Sequence, residues 1–90
     1  MAKVLKISPL DNVGVALGSI SQGEELIIEG GHVSAKLFSI SEVPEGHKIA
    51  LQTINKGGSI IKMGIDIGLA SVQIETGVHV HHHNLSSRFI

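Results

Sequence analysis

The sequence predicts an all-β fold, a small, convoluted β-barrel or clip of short strands joined by glycine turns, and three observations predict it. Branched apolar residues alternate with small or polar ones in several short runs. No stretch of a dozen residues sustains a 3.6-residue period, so no ordinary helix is expected. A seven-residue pattern with glycine at its fourth place recurs four times.

The elements follow in chain order. Pro9, ahead of Asp11-Asn12, marks a turn before the second strand. Val13-Gly14-Val15-Ala16-Leu17 puts three apolar side chains on one face, as a strand requires. Val33-Ser34-Ala35-Lys36-Leu37 and Ile65-Asp66-Ile67-Gly68-Leu69 repeat that alternation. Ser39-Ile40-Ser41-Glu42 has room for one short helical turn. Glu29-Gly30-Gly31-His32 supplies a tight turn. The repeated pattern reads Ile20-Ser21-Gln22-Gly23-Glu24-Glu25-Leu26, then Val43 to Ile49, Ile54 to Ile60 and Ile74 to Val80. Glycine at the fourth place of each fits a turn position with φ > 0 that opens a strand. The spacing between copies is irregular, which excludes a solenoid. Seven or eight strands are expected.

A chain of 90 residues, 42% of them hydrophobic, allows one domain spanning 1–90 with one modest core. Net charge is −1, and the lysines and arginines are scattered singly. A phosphate-tracking surface is therefore not expected, and two Phe with no Tyr or Trp leave no base-stacking platform. Nucleic acid is excluded as a partner. The absence of cysteine excludes disulfides, thiolate metal sites and a Cys nucleophile, and leans toward a cytoplasmic protein. No run approaches the roughly 18 apolar residues that cross a bilayer, so no membrane association is expected.

Chemistry concentrates in Gly77-Val78-His79-Val80-His81-His82-His83-Asn84, which holds four of the six histidines. As a strand, this run projects His79, His81 and His83 from one face, with successive members about 6.6 Å apart, and turns His82 away. Neutral imidazole is the commonest ligand for zinc, iron, manganese or nickel. A tag remnant, a solvated edge strand and adventitious metal binding stand beside that reading. Gly46-His47-Lys48 follows a Pro-Glu-Gly turn and could hold a carboxylate or polarise a carbonyl. From spacing alone, a polar turn with a solvated lysine is the better reading of it. Lys62-Met63-Gly64 with Ile67-Gly68 reads as a bulge with ordinary strand packing. His32 reads as a turn residue, and Asp11-Asn12 as turn or cap chemistry. No phosphate loop, nucleophile elbow or His-Glu-x-x-His is present.

Three blocks taken together resemble a known family. They are Gly46-His47-Lys48-Ile49-Ala50-Leu51, Ile61-Lys62-Met63-Gly64 with Ile67-Gly68, and Gly77-Val78-His79-Val80-His81-His82-His83-Asn84-Leu85. In order and spacing they are similar to the SAF-type domain of the altronate/galactarate dehydratases, and Asp11-Asn12-Val13 fits that family's first turn. The chain departs from the pattern at Met63, where members often carry an aromatic residue, and His82 falls at a variable position.

The resemblance implies a SAF-type β-clip, either fused to a large catalytic domain or acting as a separate small subunit. It implies β-elimination of water from a sugar acid such as altronate or galactarate, giving a 2-keto-3-deoxy acid. It also implies a divalent metal, iron or manganese, and a large catalytic subunit as partner. On this reading His79, His81 and His83 are metal ligands. His47 and Lys48 are catalytic, and Lys48 and Asn84 contact substrate. The sequence leaves homo-oligomer formation open. The alternatives are the small subunit of a sulfolactate sulfo-lyase, a non-catalytic docking module for a catalytic partner, and a stand-alone sugar- or metal-binding protein.

Overall fold

The computed structural model of the chain describes residues 1–30 and 36–87. It is all-β, with nine strands and no helix among the described residues. The strands are β1 (Ala2–Leu5), β2 (Val13–Ala16), β3 (Glu25–Glu29), β4 (Leu37–Phe38), β5 (Lys48–Ala50), β6 (Ser59–Lys62), β7 (Ile65–Ala70), β8 (His79–Val80) and β9 (Leu85–Ser86). Six form a sheet in the order β4-β3-β1-β2-β5-β8, and three form a second sheet, β6-β7-β9. The count exceeds seven or eight because β4, β8 and β9 are only two residues long, too short to show alternation. β1 pairs with β3 in parallel, and every other strand pair is antiparallel.

The glycine pattern organises the whole fold. Gly23, Gly46, Gly57 and Gly77 have φ of 82°, 82°, 84° and 88°, the left-handed region that an L side chain enters only at a cost. The first residues of the copies pair in twos, Ile20 with Val43 and Ile54 with Ile74. The structure shows the pattern to be longer than seven residues. A small buried residue, Ala16, Ser39, Ala50 or Ala70, stands four positions ahead of each copy. Copies then exchange hydrogen bonds crosswise. Gly46 N–H donates to Ala16 O and Gly23 N–H to Ser39 O, while Gly77 donates to Ala50 O and Gly57 to Ala70 O. In return Ala16 N–H donates to His47 O, Ser39 to Glu24 O, Ala50 to Val78 O and Ala70 to Gly58 O. Eight turn groups that would otherwise need solvent are satisfied this way.

Two core clusters follow from that pairing. Ile20, Leu26, Val43 and Ile49 from the first two copies pack with Ala2, Val4 and Ala16. Ile54, Ile60, Ile74 and Val80 from the last two pack with Val13, Ala50 and Ala70. Each branched side chain so buried contributes about 1.5–3 kcal/mol. β2 and β5 serve both clusters, since Val13 and Ala16, and Ile49 and Ala50, fall on opposite sides.

Asp11 and Asn12 join the sheets. Asp11 accepts N–H bonds from Ser8 (3.0 Å), Ile7 (3.3 Å) and Gly64 (2.8 Å). Asn12 donates its amide to Ser59 O (2.8 Å) and accepts from Ile61 N–H (2.8 Å). Both are buried, so this is turn and cap chemistry as expected. Met63-Gly64 forms the two-residue tip between β6 and β7, with both φ positive (55° and 75°). That is the primed turn that suits hairpin twist. A bulge lies in the same hairpin, between Ile60 and Ile61.

Two expectations fail. Residues 39–42 form no helical turn, and Ile40 and Ser41 are bends. Ile40 and Ser41 N–H groups both reach Gly77 O (2.8 and 3.4 Å), which ties the segment to a distant turn. The strand expected through His83 stops at Val80, for a reason given below. The strand expected over 33–37 and the turn at 29–32 lie partly outside the described residues, although Leu37 does open β4. Among the described residues no helix is long and apolar enough to cross a membrane.

Candidate metal and carboxylate site

The site forms where the second and fourth glycine turns meet. β5 and β8 pair antiparallel, with Lys48 opposite Val80 and Ile49 opposite His79. His47 enters directly from the Gly46 turn, held by its N–H to Pro44 O (3.0 Å). His79 lies on β8, and its Nε2 is 2.9 Å from His47 Nδ1. One of those nitrogens carries the shared proton and the other accepts it.

His81 completes the group. Its ring centroid lies 4.3 Å from that of His47 and 5.6 Å from that of His79. One nitrogen from each of His47, His79 and His81 can lie within 4.8 Å of the other two. A common ion bound by three imidazoles needs that spacing. His83 stacks at a tilt against His79, 5.3 Å between centroids, and His82 against His81 at 4.2 Å. Both are exposed and outside the three-nitrogen group. The structure thus gathers His79 and His81 as the spacing predicts, but the third member is His47.

Asn84 sets the position of His81. Its Oδ1 accepts from His81 N–H (2.9 Å) and its Nδ2 donates to His79 O (2.8 Å). Asn84 and Leu85 N–H groups both return to His81 O (3.1 and 2.9 Å). The chain therefore turns over 81–84 and re-enters the second sheet with Leu85 opposite Ala70. This is why the strand ends at Val80. Asn84 is buried, with both ends of its amide engaged by the loop. Those bonds make Asn84 the side chain that shapes the 81–84 loop beside the imidazoles.

The electrostatics favour neutral imidazole. Burial lowers the pKa of His79 below its usual value, and the charges of His47, His83, His81 and Lys48 lower it further. Burial likewise lowers His81, with help from His82, His47, Lys48 and His83. Lys48 is lowered by burial first and then by the charge of Lys62. Neutral imidazoles keep the lone pair that coordination needs.

The fold and this cluster define a SAF-type β domain carrying an imidazole-rich site. A family model described as the altronate/galactarate dehydratase SAF domain matches residues 2–88. The chain belongs to that family. It is 44% identical to an altronate dehydratase of Escherichia coli (strain K12) over 80 residues, 89% of this chain and 15% of that protein. It is 43% identical to an altronate dehydratase of Bacillus subtilis (strain 168), over 93% of this chain and 16% of that protein. The chain thus spans about a sixth of the length of these relatives. A (2R)-sulfolactate sulfo-lyase subunit alpha from Paracoccus pantotrophus is 32% identical over 69% of this chain and 92% of its own length.

Two members of the histidine run, His79 and His81, do lie together. What spacing could not reveal is that His47, 32 residues from His79, lies against them. A signal was present, since Gly46-His47-Lys48 and Gly77-Val78-His79 follow the same turn in two copies of one pattern.

Proposed function

We propose that this chain is the SAF part of a divalent-metal-dependent sugar-acid dehydratase of altronate or galactarate type, acting with a separate large catalytic subunit. The observation that carries this reading is the convergence of His47, His79 and His81 within 4.8 Å, beside half-buried Lys48. The donor set fits a divalent ion of iron or manganese type. It offers three imidazoles, His79 and His81 are held toward the neutral form, and a three-ligand set leaves positions for substrate. Such an ion, when bound, supplies a Lewis acid for the carboxylate and hydroxyl of the substrate.

This chain's own residues bind and orient. Lys48 faces the substrate carboxylate and offsets the charge that grows there as the α proton leaves. His47, where it is not a ligand, holds a proton on Nδ1 or accepts one from His79. His83 stands by as a further donor on the exposed side. Asn84 holds the 81–84 loop in register. The base that takes the α proton comes from the large subunit, and the β hydroxyl leaves with a proton as water. The enol so formed becomes the 2-keto-3-deoxy acid.

One observation favours a second reading. The sulfo-lyase subunit alpha matches over 92% of its length, so a separate small chain of this kind exists among the relatives. The same site would then serve elimination of sulfite.

The test is to capture partners of the chain with a non-histidine tag. The captured complex is then assayed on sugar acids and sulfolactate, with added iron or manganese. Keto-acid formation from a sugar acid supports the dehydratase reading, and sulfite release moves the chain to the second. A captured partner without either product leaves a docking module and overturns both.

A further inference from the structure

His82 stands in the middle of the histidine run and has no part in the imidazole triad. It lines an open cavity of about 520 Å³ together with Ser71, Leu85, Ser86 and Ser87. No member of the triad lines that cavity. Its size falls in the range of small-molecule sites, about 300–1,000 Å³.

One residue holds the cavity and the triad together. Asn84 O accepts from Ser71 N–H (3.0 Å), while the Asn84 side chain accepts from His81 N–H and donates to His79 O. Ser71 is thus fixed across from Asn84, one step beyond the Ala70–Leu85 pair of β7 and β9. Ser86 lies opposite Leu69 in the same ladder. Both hydroxyls are therefore carried on paired backbone, beside half-buried Leu85. The ring of His82 is 4.2 Å from that of His81 between centroids. His82 packs on a member of the triad and lines the cavity at once.

Among the described residues, the cavity lining holds hydroxyls and an imidazole but no carboxylate and no lysine. A serine hydroxyl donates once and accepts twice, and a neutral imidazole does one of each. That set answers neighbouring hydroxyls of a polyol, which also donate and accept, while Leu85 suits the C–H face between them. We propose that the cavity is a polyol subsite, in which Ser71, Ser86 and His82 take the hydroxylated tail of a sugar acid whose carboxylate end lies at the imidazole triad. The polyol assignment rests on the cavity, and the reach of the same molecule to the triad rests on the dehydratase reading. The lengths agree. Five C–C bonds of about 1.5 Å in zigzag span about 6 Å, enough to pass from His81 across His82, 4.2 Å away. A three-carbon acid such as sulfolactate has no tail to place there, so the subsite selects for the longer acid.

The experiment uses the full chain, stripped of metal with chelator, and follows backbone amide shifts by NMR at neutral pH. The probes are altronate, altritol and lactate. Altritol keeps the hydroxyls without the carboxylate, and lactate keeps the 2-hydroxy acid head without the tail. Altronate and altritol are expected to shift the amides of Ser71, His82, Leu85 and Ser86 with millimolar affinity, and lactate to leave them in place. His82→Ala and Ser71→Ala should each weaken altritol binding about three- to tenfold, the size of one hydrogen bond. Ser86→Ala supplies the same test should Ser71→Ala fail to fold. Ser21→Ala, the same change on the exposed first glycine turn, should stay near wild type. No altritol shift at these amides, an equal shift by lactate, or unchanged binding in His82→Ala and the serine variants overturns the subsite. Altritol binding there, without keto-acid from the captured complex, sinks the dehydratase reading and spares the subsite. Keto-acid formation with an unchanged KM by a complex carrying His82→Ala and Ser71→Ala does the reverse.

Discussion

Asp11 and Asn12 are nearly the same size and are not interchangeable. The carboxylate of Asp11 meets only N–H donors, from Ile7, Ser8 and Gly64. Asn12 meets one acceptor and one donor, Ser59 O and Ile61 N–H. Asp11→Asn turns an NH2 toward N–H groups, and Asn12→Asp turns an oxygen toward a carbonyl. Each should cost about 1–3 kcal/mol in urea denaturation. Burial alone would raise the Asp11 pKa, but N–H bonds from Gly64, Ser8, Met63 and Ile7 outweigh it and hold it below the usual 3.8. The stability from that lowering is present above 3.8 and lost as pH falls through the folded value. The gap between wild type and Asp11→Asn should therefore narrow at acid pH. A gap unchanged down to strongly acid pH would mean that Asp11 is not held as a carboxylate.

The histidines divide at the same scale. On the proposed metal reading, His47→Ala removes one of three ligands and should weaken binding of manganese or nickel to the chain, measured by calorimetry, by more than the roughly 100-fold that a residue behind a ligand costs. Asn84→Ala acts only through the position of His79 and His81. It should cost about 10–100-fold, as loss of a hydrogen bond behind a ligand does. His82→Ala should stay close to wild type. If His82→Ala and His47→Ala weaken binding equally, the ion sits elsewhere in the run.

At the scale of elements, the glycine turns do two kinds of work. A Cβ added at Gly57 meets nothing within 4 Å, so Gly57→Ala suffers only the left-handed backbone, about 1–2 kcal/mol. At Gly77 the same Cβ would collide with the Phe38 carbonyl oxygen and crowd Ile40 N. Gly77→Ala should cost clearly more and disturb the turn that delivers His79, so metal affinity should fall with stability. Urea midpoints and calorimetry on both variants check this, and equal losses would refute the close approach.

The same turns explain how much was legible. The motif Ile/Val-x-x-Gly-x-x-apolar is local, and a local pattern survives in sequence. The residue four places ahead, Ala or Ser, is too common to stand out until its carbonyl is seen to take the glycine N–H. The alternation from His79 to His83 imitates a strand, but the loop bonds of Asn84 override it. His47 comes against His79 through the pairing of β5 with β8, which the spacing of the histidine run does not encode.

For the whole molecule, the decisive fact is that the two core clusters share strands. Pairs of glycine-turn copies each close one cluster, an arrangement that could in principle melt as two units. β2 and β5 prevent that. Val13 and Ala50 serve one cluster, while Ala16 and Ile49, on the same two strands, serve the other. Asn12 adds bonds between β5 and β6. Loss of either cluster exposes the back of strands the other needs, so unfolding should be one cooperative transition. Ile49→Ala and Ile74→Ala, one in each cluster and each almost fully buried, should both cost about 2–5 kcal/mol. That is a large part of the roughly 5–10 kcal/mol available to a chain of this size. Each variant should melt in a single step, with NMR signals of the His47–His79 pair and of the Gly64 turn disappearing at one common midpoint. Two separated midpoints in Ile74→Ala would show that the first cluster stands alone. In that case the imidazole site, whose β8 packs into the second cluster through Val80, would be lost before the rest of the fold.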